Sequence, residues 1–200
     1  MVKKDLVQAI TERRSVYSIG KSGIVSETEI LKIVRTALQH SPTAFHSQGG
    51  RILLLFGEHH DRLWTDTLEM LEKMVPPERL DQTREKIKSF QNGYGTILFF
   101  EAQSTIHHLE ENFPLYAQNF AGWSLQSSGM LQYGIWLMLD ASGYGASLQH
   151  YNPLIDEKVK AKWEIPDEWK LIGEMPFGGR TGEPEAKNFL PLEERMKVYR

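Results

Sequence analysis

The sequence predicts an α+β fold, and three observations carry that expectation. Two short, continuous apolar runs, Arg51–Gly57 and Gly95–Glu101, read as strands buried on both faces. Segments with helical spacing of apolar residues surround them, yet helices and strands do not alternate in the regular order of a doubly wound sheet. The third is Phe113–Leu139, a stretch without a single charge. It is long enough to span a membrane. However, Gln118, Asn119, Ser124, Gln126, Ser127, Ser128 and Gln132 are costly in hydrocarbon, so it reads as a helix buried in protein.

Each element follows from local pattern. Lys4–Glu12 reads as a short helix with Leu6, Val7 and Ile10 on one face. Ser26-Glu27-Thr28-Glu29 has capping-box spacing, and Ile30, Val34, Ala37 and Leu38 follow at helical intervals until Ser41-Pro42 stops the helix near His40. After the first strand, His60–Val75 is amphipathic through Leu63, Thr67, Leu68, Leu71 and Met74, and Pro76-Pro77 closes it. Glu78–Gln91 resumes as a charged surface helix before the second strand. Pro114 starts the long helix, which runs to about Ser142. Its small residues Ser127, Ser128, Gly129 and Gly134 would let another backbone come close, at the centre of the molecule or of an oligomer. Gly143–Leu148 is a turn into a short strand, Leu154–Trp163 a helix ended by Pro166, and Trp169–Phe177 a third strand. The tail, Gly178–Arg200, is loop-rich with a short helix near Leu192–Lys197.

Composition narrows the function. Two hundred residues, 40% hydrophobic and 10% aromatic, suit one domain over residues 1–200, with no repeat and no linker. A formal charge of -3 argues against a dedicated binder of nucleic acid or of an anionic membrane. The absence of cysteine excludes disulfides, thiol nucleophiles, thiolate-bound zinc and iron–sulfur clusters. The N-terminal residues lack the apolar core of a secretory signal, so the expected compartment is the cytoplasm.

The candidate chemistry is spread over four segments. Arg13, Arg14 and Ser15 close the first helix and form a donor set for a phosphate; read alone, basic residues there only favour the helix dipole. The polar loop from Ser41 through His46, Ser47 and Gln48 offers hydrogen-bonding groups for a planar heterocycle, or is simply a turn. Gly143-Tyr144-Gly145 precedes Leu148, Gln149 and His150, without the third glycine of a dinucleotide fingerprint. Phe177-Gly178-Gly179-Arg180, with Lys187 further on, either closes over an anion or is an exposed connection. His59-His60-Asp61 and His107-His108 lack zincin spacing, so no metal is expected, and there is no nucleophile elbow or Walker motif.

In this order, these segments resemble the nitroreductase family of flavoproteins over nearly the whole chain. Tyr17, Phe45, the run Leu148-Gln149-His150-Tyr151-Asn152-Pro153 and the short length are most similar to the subgroup named for fungal fatty-acid repression. The resemblance implies a mixed or antiparallel sheet surrounded by helices, with the long buried helix at the interface of a homodimer. It implies FMN bound between the subunits, NADH or NADPH as electron donor, and a nitroaromatic or quinone acceptor. The flavin carries the chemistry, so no catalytic side chain is required.

By the same resemblance Arg13 and Ser15, with Arg14 beside them, hold the FMN phosphate and ribityl chain. His46, Ser47 and Gln48 meet the flavin of the partner subunit, His46 standing where an asparagine is common. Leu148, Gln149, His150 and Tyr151 lie against the isoalloxazine, one backbone N–H facing flavin N5. Tyr17 stands where many members have a cation near flavin N1, and Lys21 is the candidate to compensate. Lys187 matches a phosphate lysine; Phe189 replaces a frequent arginine, and Arg180 is the candidate substitute. A second class of function stays open: a flavin-binding sensor or regulatory protein with negligible turnover. A cofactor-free interaction protein leaves the ordered motif set unexplained.

Overall fold

The computed structural model describes residues 4–184 and 186–200. Within them the fold is α+β, with five strands in one antiparallel sheet and seven α-helices. The helices are α1 (Leu6–Glu12), α2 (Glu27–His40), α3 (Gly57–Leu71), α4 (Leu80–Gln91), α5 (Gln103–Asn112), α6 (Ala117–Ala141) and α7 (Asp156–Trp163). The strands are β1 (Ile19–Gly20), β2 (Gly50–Phe56), β3 (Gly95–Ala102), β4 (Tyr144–Ala146) and β5 (Trp169–Arg180). Their order is β1-β5-β3-β2, with β4 also paired to β5.

β3 explains its own sequence. All eight of its residues are buried. Alternation sends Ile97 and Phe99 into one core and Leu98 and Phe100 into the other. A strand covered on both faces must be apolar throughout rather than at every second position. The first core is closed by Ile30 and Val34 of α2 and by Leu131, Ile135 and Leu139 of α6. The second is closed by Leu63 and Trp64 of α3, Phe90 of α4 and Val159 of α7. Each such fully buried side chain contributes about 1.5–3 kcal/mol.

The N-cap half of the capping box holds as expected, since Ser26 Oγ accepts the Glu29 N–H at 3.3 Å. Other expectations need correction. The apolar stripe of α1 does not join a core: Leu6 is 68% and Val7 73% exposed, and only Ala9 is buried. The long helix is half-buried rather than buried. Phe120, Leu131, Ile135 and Leu139 face inward, whereas Leu125, Met130 and Tyr133 are exposed and Gly122 and Gly129 face open space. Pro114–Tyr116 forms a 3-10 turn before it, because proline starts but cannot continue the ladder. α3 ends at Leu71, short of Val75. α5 was not expected: its N-cap Ala102 offers no side-chain bond, and only Ile106 is buried. β5 extends to Arg180, beyond Phe177, because β1 and β4 pair with its end. The final short helix is one 3-10 turn, Leu192–Glu194.

Candidate functional site

The segment after α1 is pinned against the sheet before it reaches β1. Arg13 caps α1 in an extended conformation, Ser15 bridges Ala146, and Val16 N–H donates to Ala146 O at 2.9 Å. Val16 is buried at 1% exposure. Its close approach requires a glycine opposite, since a Cβ on Gly145 would lie 2.8 Å from Val16 Cγ1. Extended backbone then turns the neighbouring side chains outward.

The result is a cleft of about 640 Å³, with Arg13, Arg14, Ser15 and Tyr17 on one side and Glu183, Pro184 and Lys187 on the other. The structure thus brings the N-terminal motif and the tail lysine together, although they are far apart in sequence. The Arg13 guanidinium lies 4.3 Å from the Trp136 ring centre, and its Nε is buried with no hydrogen-bond partner. A buried N–H donor without an acceptor is costly, and an anion in the cleft would relieve it. Three cations, a hydroxyl and an unmet guanidinium donor suit the chemistry of a phosphate monoester. Tyr17 is half-exposed on the cleft wall, with its ring 6.2 Å from Phe90. Ser18, on the same wall, is not singled out by the sequence motifs.

Arg180 and Lys21 are placed differently. Arg180 hydrogen-bonds Asp140, which is 2% exposed and also accepts from Lys4 Nζ at 2.7 Å. Arg180 lines a smaller neighbouring cleft, together with Arg14, Lys187 and Phe189. Lys21 is paired with Asp61 of α3 at 2.6 Å and lines none of these clefts.

The polar loop builds a second cleft, of about 450 Å³, that shares no residue with the first. Phe45, His46 and Gln48 all have positive φ (56°, 53° and 52°), a conformation unfavourable for such side chains. Thr43 Oγ1 accepts the Gln48 N–H at 3.1 Å, and Arg51 donates to Gln48 O at 2.8 Å. Gln48 lines this cleft beside Arg51 and Glu101; Ser47 lines a small adjoining cavity, and His46 is exposed. Glu101 is buried, and its carboxyl is pushed up by burial against the opposing bond from Ser124 Oγ at 2.6 Å.

The segment Leu148–Tyr151 alternates in its use of donors. Gln149 exchanges backbone bonds with Glu174, at 2.7 and 2.9 Å, and Tyr151 N–H donates to Glu174 Oε2 at 2.9 Å. The N–H groups of Leu148, just before Gln149, and of His150, between the two, have no partner within the described residues. His150 is exposed, packed against Gly173, while Gln149 is buried. Among the described residues no group of three His, Cys, Asp or Glu could hold a metal, and no helix is long and apolar enough to cross a membrane.

Comparison with known proteins identifies the family and the fold. The model of the nitroreductase family matches residues 10–179. The chain is 37% identical to nitroreductase CinD from Lactococcus lactis, solved with nicotinic acid, chloramphenicol or 4-nitrophenol. That likeness covers 98% of this chain and 100% of the other, with a TM-score of 0.90. Nitroreductase FRM2 of Saccharomyces cerevisiae is 29% identical over 186 residues, 92% of each chain. A nitroreductase with bound FMN from Desulfitobacterium hafniense shares the fold, at 15% identity, 97% coverage of both chains and a TM-score of 0.70.

Proposed function

The chain belongs to the nitroreductase family, an oxidoreductase family, and from that premise we propose that it is an FMN-dependent NAD(P)H oxidoreductase acting on nitroaromatics or quinones. The observation that carries this reading is the cleft lined by Arg13, Arg14, Ser15 and Lys187, with the Arg13 Nε buried and unmet. These residues hold the FMN phosphate, and Arg13 is fixed for the task by its stacking on Trp136. The chemistry that a bound FMN supplies is hydride transfer, from NADH or NADPH to the acceptor in two half-reactions. The protein binds, orients and excludes water. Leu148 and His150 present the free backbone donors for flavin N5, because the N–H groups of Gln149 and Tyr151 are committed to Glu174.

The assembly we propose is a homodimer in which His46, Ser47 and Gln48 meet the flavin of the other subunit. Two features support it: the polar loop and the cationic cleft do not share a wall within one chain, and α1 and α6 present Leu6, Val7, Leu125 and Met130 to solvent. Light scattering on the purified protein tests it, with a monomer counting against. The acceptor class draws support from CinD, whose ligands 4-nitrophenol and chloramphenicol both carry a nitroaryl group.

The purified protein should be yellow and release FMN on denaturation. A colourless preparation that does not take up added FMN would sink the reading. Anaerobic reduction by NADH or NADPH, then reoxidation by a nitroaromatic or quinone, tests turnover. A second reading, a flavin-binding sensor with negligible turnover, rests on one observation: Tyr17 stands uncharged on the cleft wall and Lys21 is held by Asp61. Failure of both nucleotides to reduce the flavin would favour it.

A further inference from the structure

Glu174 is a carboxyl group inside an apolar strand. It lies in β5 opposite Leu98 of β3, on the sheet face whose core holds Trp64, Phe90 and Leu98, and it is 0% exposed. No basic side chain hydrogen-bonds it among the described residues. Among the described residues, its side chain accepts from the Tyr151 N–H, on Oε2, and is favoured by its own backbone N–H, while Oε1 is sealed from solvent and unpartnered. Oε1 has no partner of either kind among the described residues, a deficit that costs a charged carboxylate more than a neutral acid. Burial pushes this carboxyl up to about 8, and the charge of Asp156 adds to the effect against the Tyr151 and backbone bonds.

The titratable groups around Glu174 are few. Asp156, at the start of α7, is itself raised by burial, with one oxygen buried and unpartnered. The Tyr151 phenol is pushed up to about 12, by burial first, then by Glu174 and Tyr17. His150 lies over Gly173, the residue before Glu174. Tyr17 in turn lines the cationic cleft, so Glu174 lies behind the site and not in it.

We propose that Glu174 is a positioning residue for the flavin-facing segment: it holds Gln149 through its backbone and Tyr151 through its side chain, keeps the Leu148 and His150 N–H groups turned to the cofactor, and weakens that hold when it loses its proton. The inference rests on the FMN reading given above. The physical reason is that a carboxylate in this place has backbone donors on one side only and none for Oε1, where it needs several. Once its proton leaves to solvent, it must draw in water or move, and Tyr151 moves with it. The neutral acid, with no charge to solvate, makes a smaller demand.

The test uses the FMN-loaded full chain. The visible flavin spectrum and the FMN dissociation constant are followed from about pH 6 to about pH 10, with free FMN alongside to subtract its own titration. The wild type should show a transition centred near pH 8. Glu174→Gln keeps an acceptor for Tyr151 but carries no titrating proton, so it should hold the low-pH spectrum throughout. Glu174→Leu removes the acceptor and should weaken FMN binding about tenfold at pH 6, the loss of one hydrogen bond. If the leucine variant fails to fold, the near-isosteric Glu174→Gln decides alone. A wild type without the transition, or a transition that survives in Glu174→Gln, overturns the proposal. If the protein takes up no FMN, the flavin reading has failed instead. Backbone amide exchange at Leu148–Tyr151 against pH then decides the Glu174 hold, the same transition supporting it and its absence overturning it.

Discussion

Replacing Asp140 by asparagine should cost the protein about 2–3 kcal/mol, and the structure gives the terms of that figure. Asp140 lies in the last turn of α6 at 2% exposure and accepts from Lys4, at 2.7 Å, and from Arg180 at the end of β5. Removing one partner of a buried ion pair costs about 3–5 kcal/mol, because the other charge is left uncompensated. Here both cations keep some water, with side chains 15% and 24% exposed, and asparagine retains one acceptor oxygen, so the loss falls below that range. Burial works to lower the Lys4 pKa, but its bonds to Asp140 and Glu12 outweigh this and raise it. That contribution is complete below the ordinary lysine value and is lost only as pH rises through the raised one, so the Asp140→Asn cost is constant near neutrality. The assay is urea unfolding: the midpoint should fall with an unchanged slope, and the melting temperature should drop by roughly 5–10 °C. A double-mutant cycle with Arg180→Met should show coupling of about 1 kcal/mol or more. A loss under about 1 kcal/mol, or strict additivity, would refute the reasoning.

Three further outcomes follow from the site and its supports. Arg13→Ala should weaken FMN binding by about 1.5–3 kcal/mol, roughly ten- to a hundredfold, in a fluorescence titration; unchanged affinity would count against the phosphate assignment. Gly178→Ala would place a Cβ 2.3 Å from Gly20 O and 2.9 Å from Tyr94 N, both backbone atoms. It should therefore destabilise the fold by about 3 kcal/mol or more, read from the same urea curves, and a near-neutral result would contradict the packing described at the β1–β5 edge. The Glu174 carboxyl is raised from 4.5 to about 8, so the folded chain keeps a proton that the unfolded chain gives up. Its stabilising effect is complete below about 4.5 and drains away as pH rises to about 8, whereas Glu174→Gln should lack this slope.

How much of this was written in the sequence depends on the range of the interaction. β3 was legible because a strand covered on both faces leaves a run such as Ile97-Leu98-Phe99-Phe100 with no polar interruption. α2 was legible because Ser26 and Glu29 encode its start within four positions. α5 was not, since nothing local caps it and it is held by packing against α6. The outward turn of Leu6 and Val7 was equally hidden, because periodicity tells that a helix has an apolar stripe but not what covers it. For the site, Arg13, Ser15 and Lys187 were legible as motifs, but their meeting in one cleft is a fact of tertiary structure. Asp140 and Glu174 were not singled out, although Asp140 is the charge that ends the uncharged stretch and Glu174 is a carboxyl within the apolar run Leu171–Phe177. Both signals were present, and only the partners were missing.

The pairing of β1 with the far end of β5 has a consequence for the order in which the protein comes into being. Ile19 lies opposite Arg180, and Gly20 opposite Gly179. The chain leaves the ribosome N-terminus first, so the Arg-Arg-Ser segment is exposed long before its partner strand exists. β2 and β3 can pair early, but the cationic cleft has no second wall until β5 and Lys187 have been synthesised. Long-range closure of this kind is slow compared with local helix formation. The cationic cleft is therefore completed late, and a nascent chain closes it only once β5 and Lys187 have emerged.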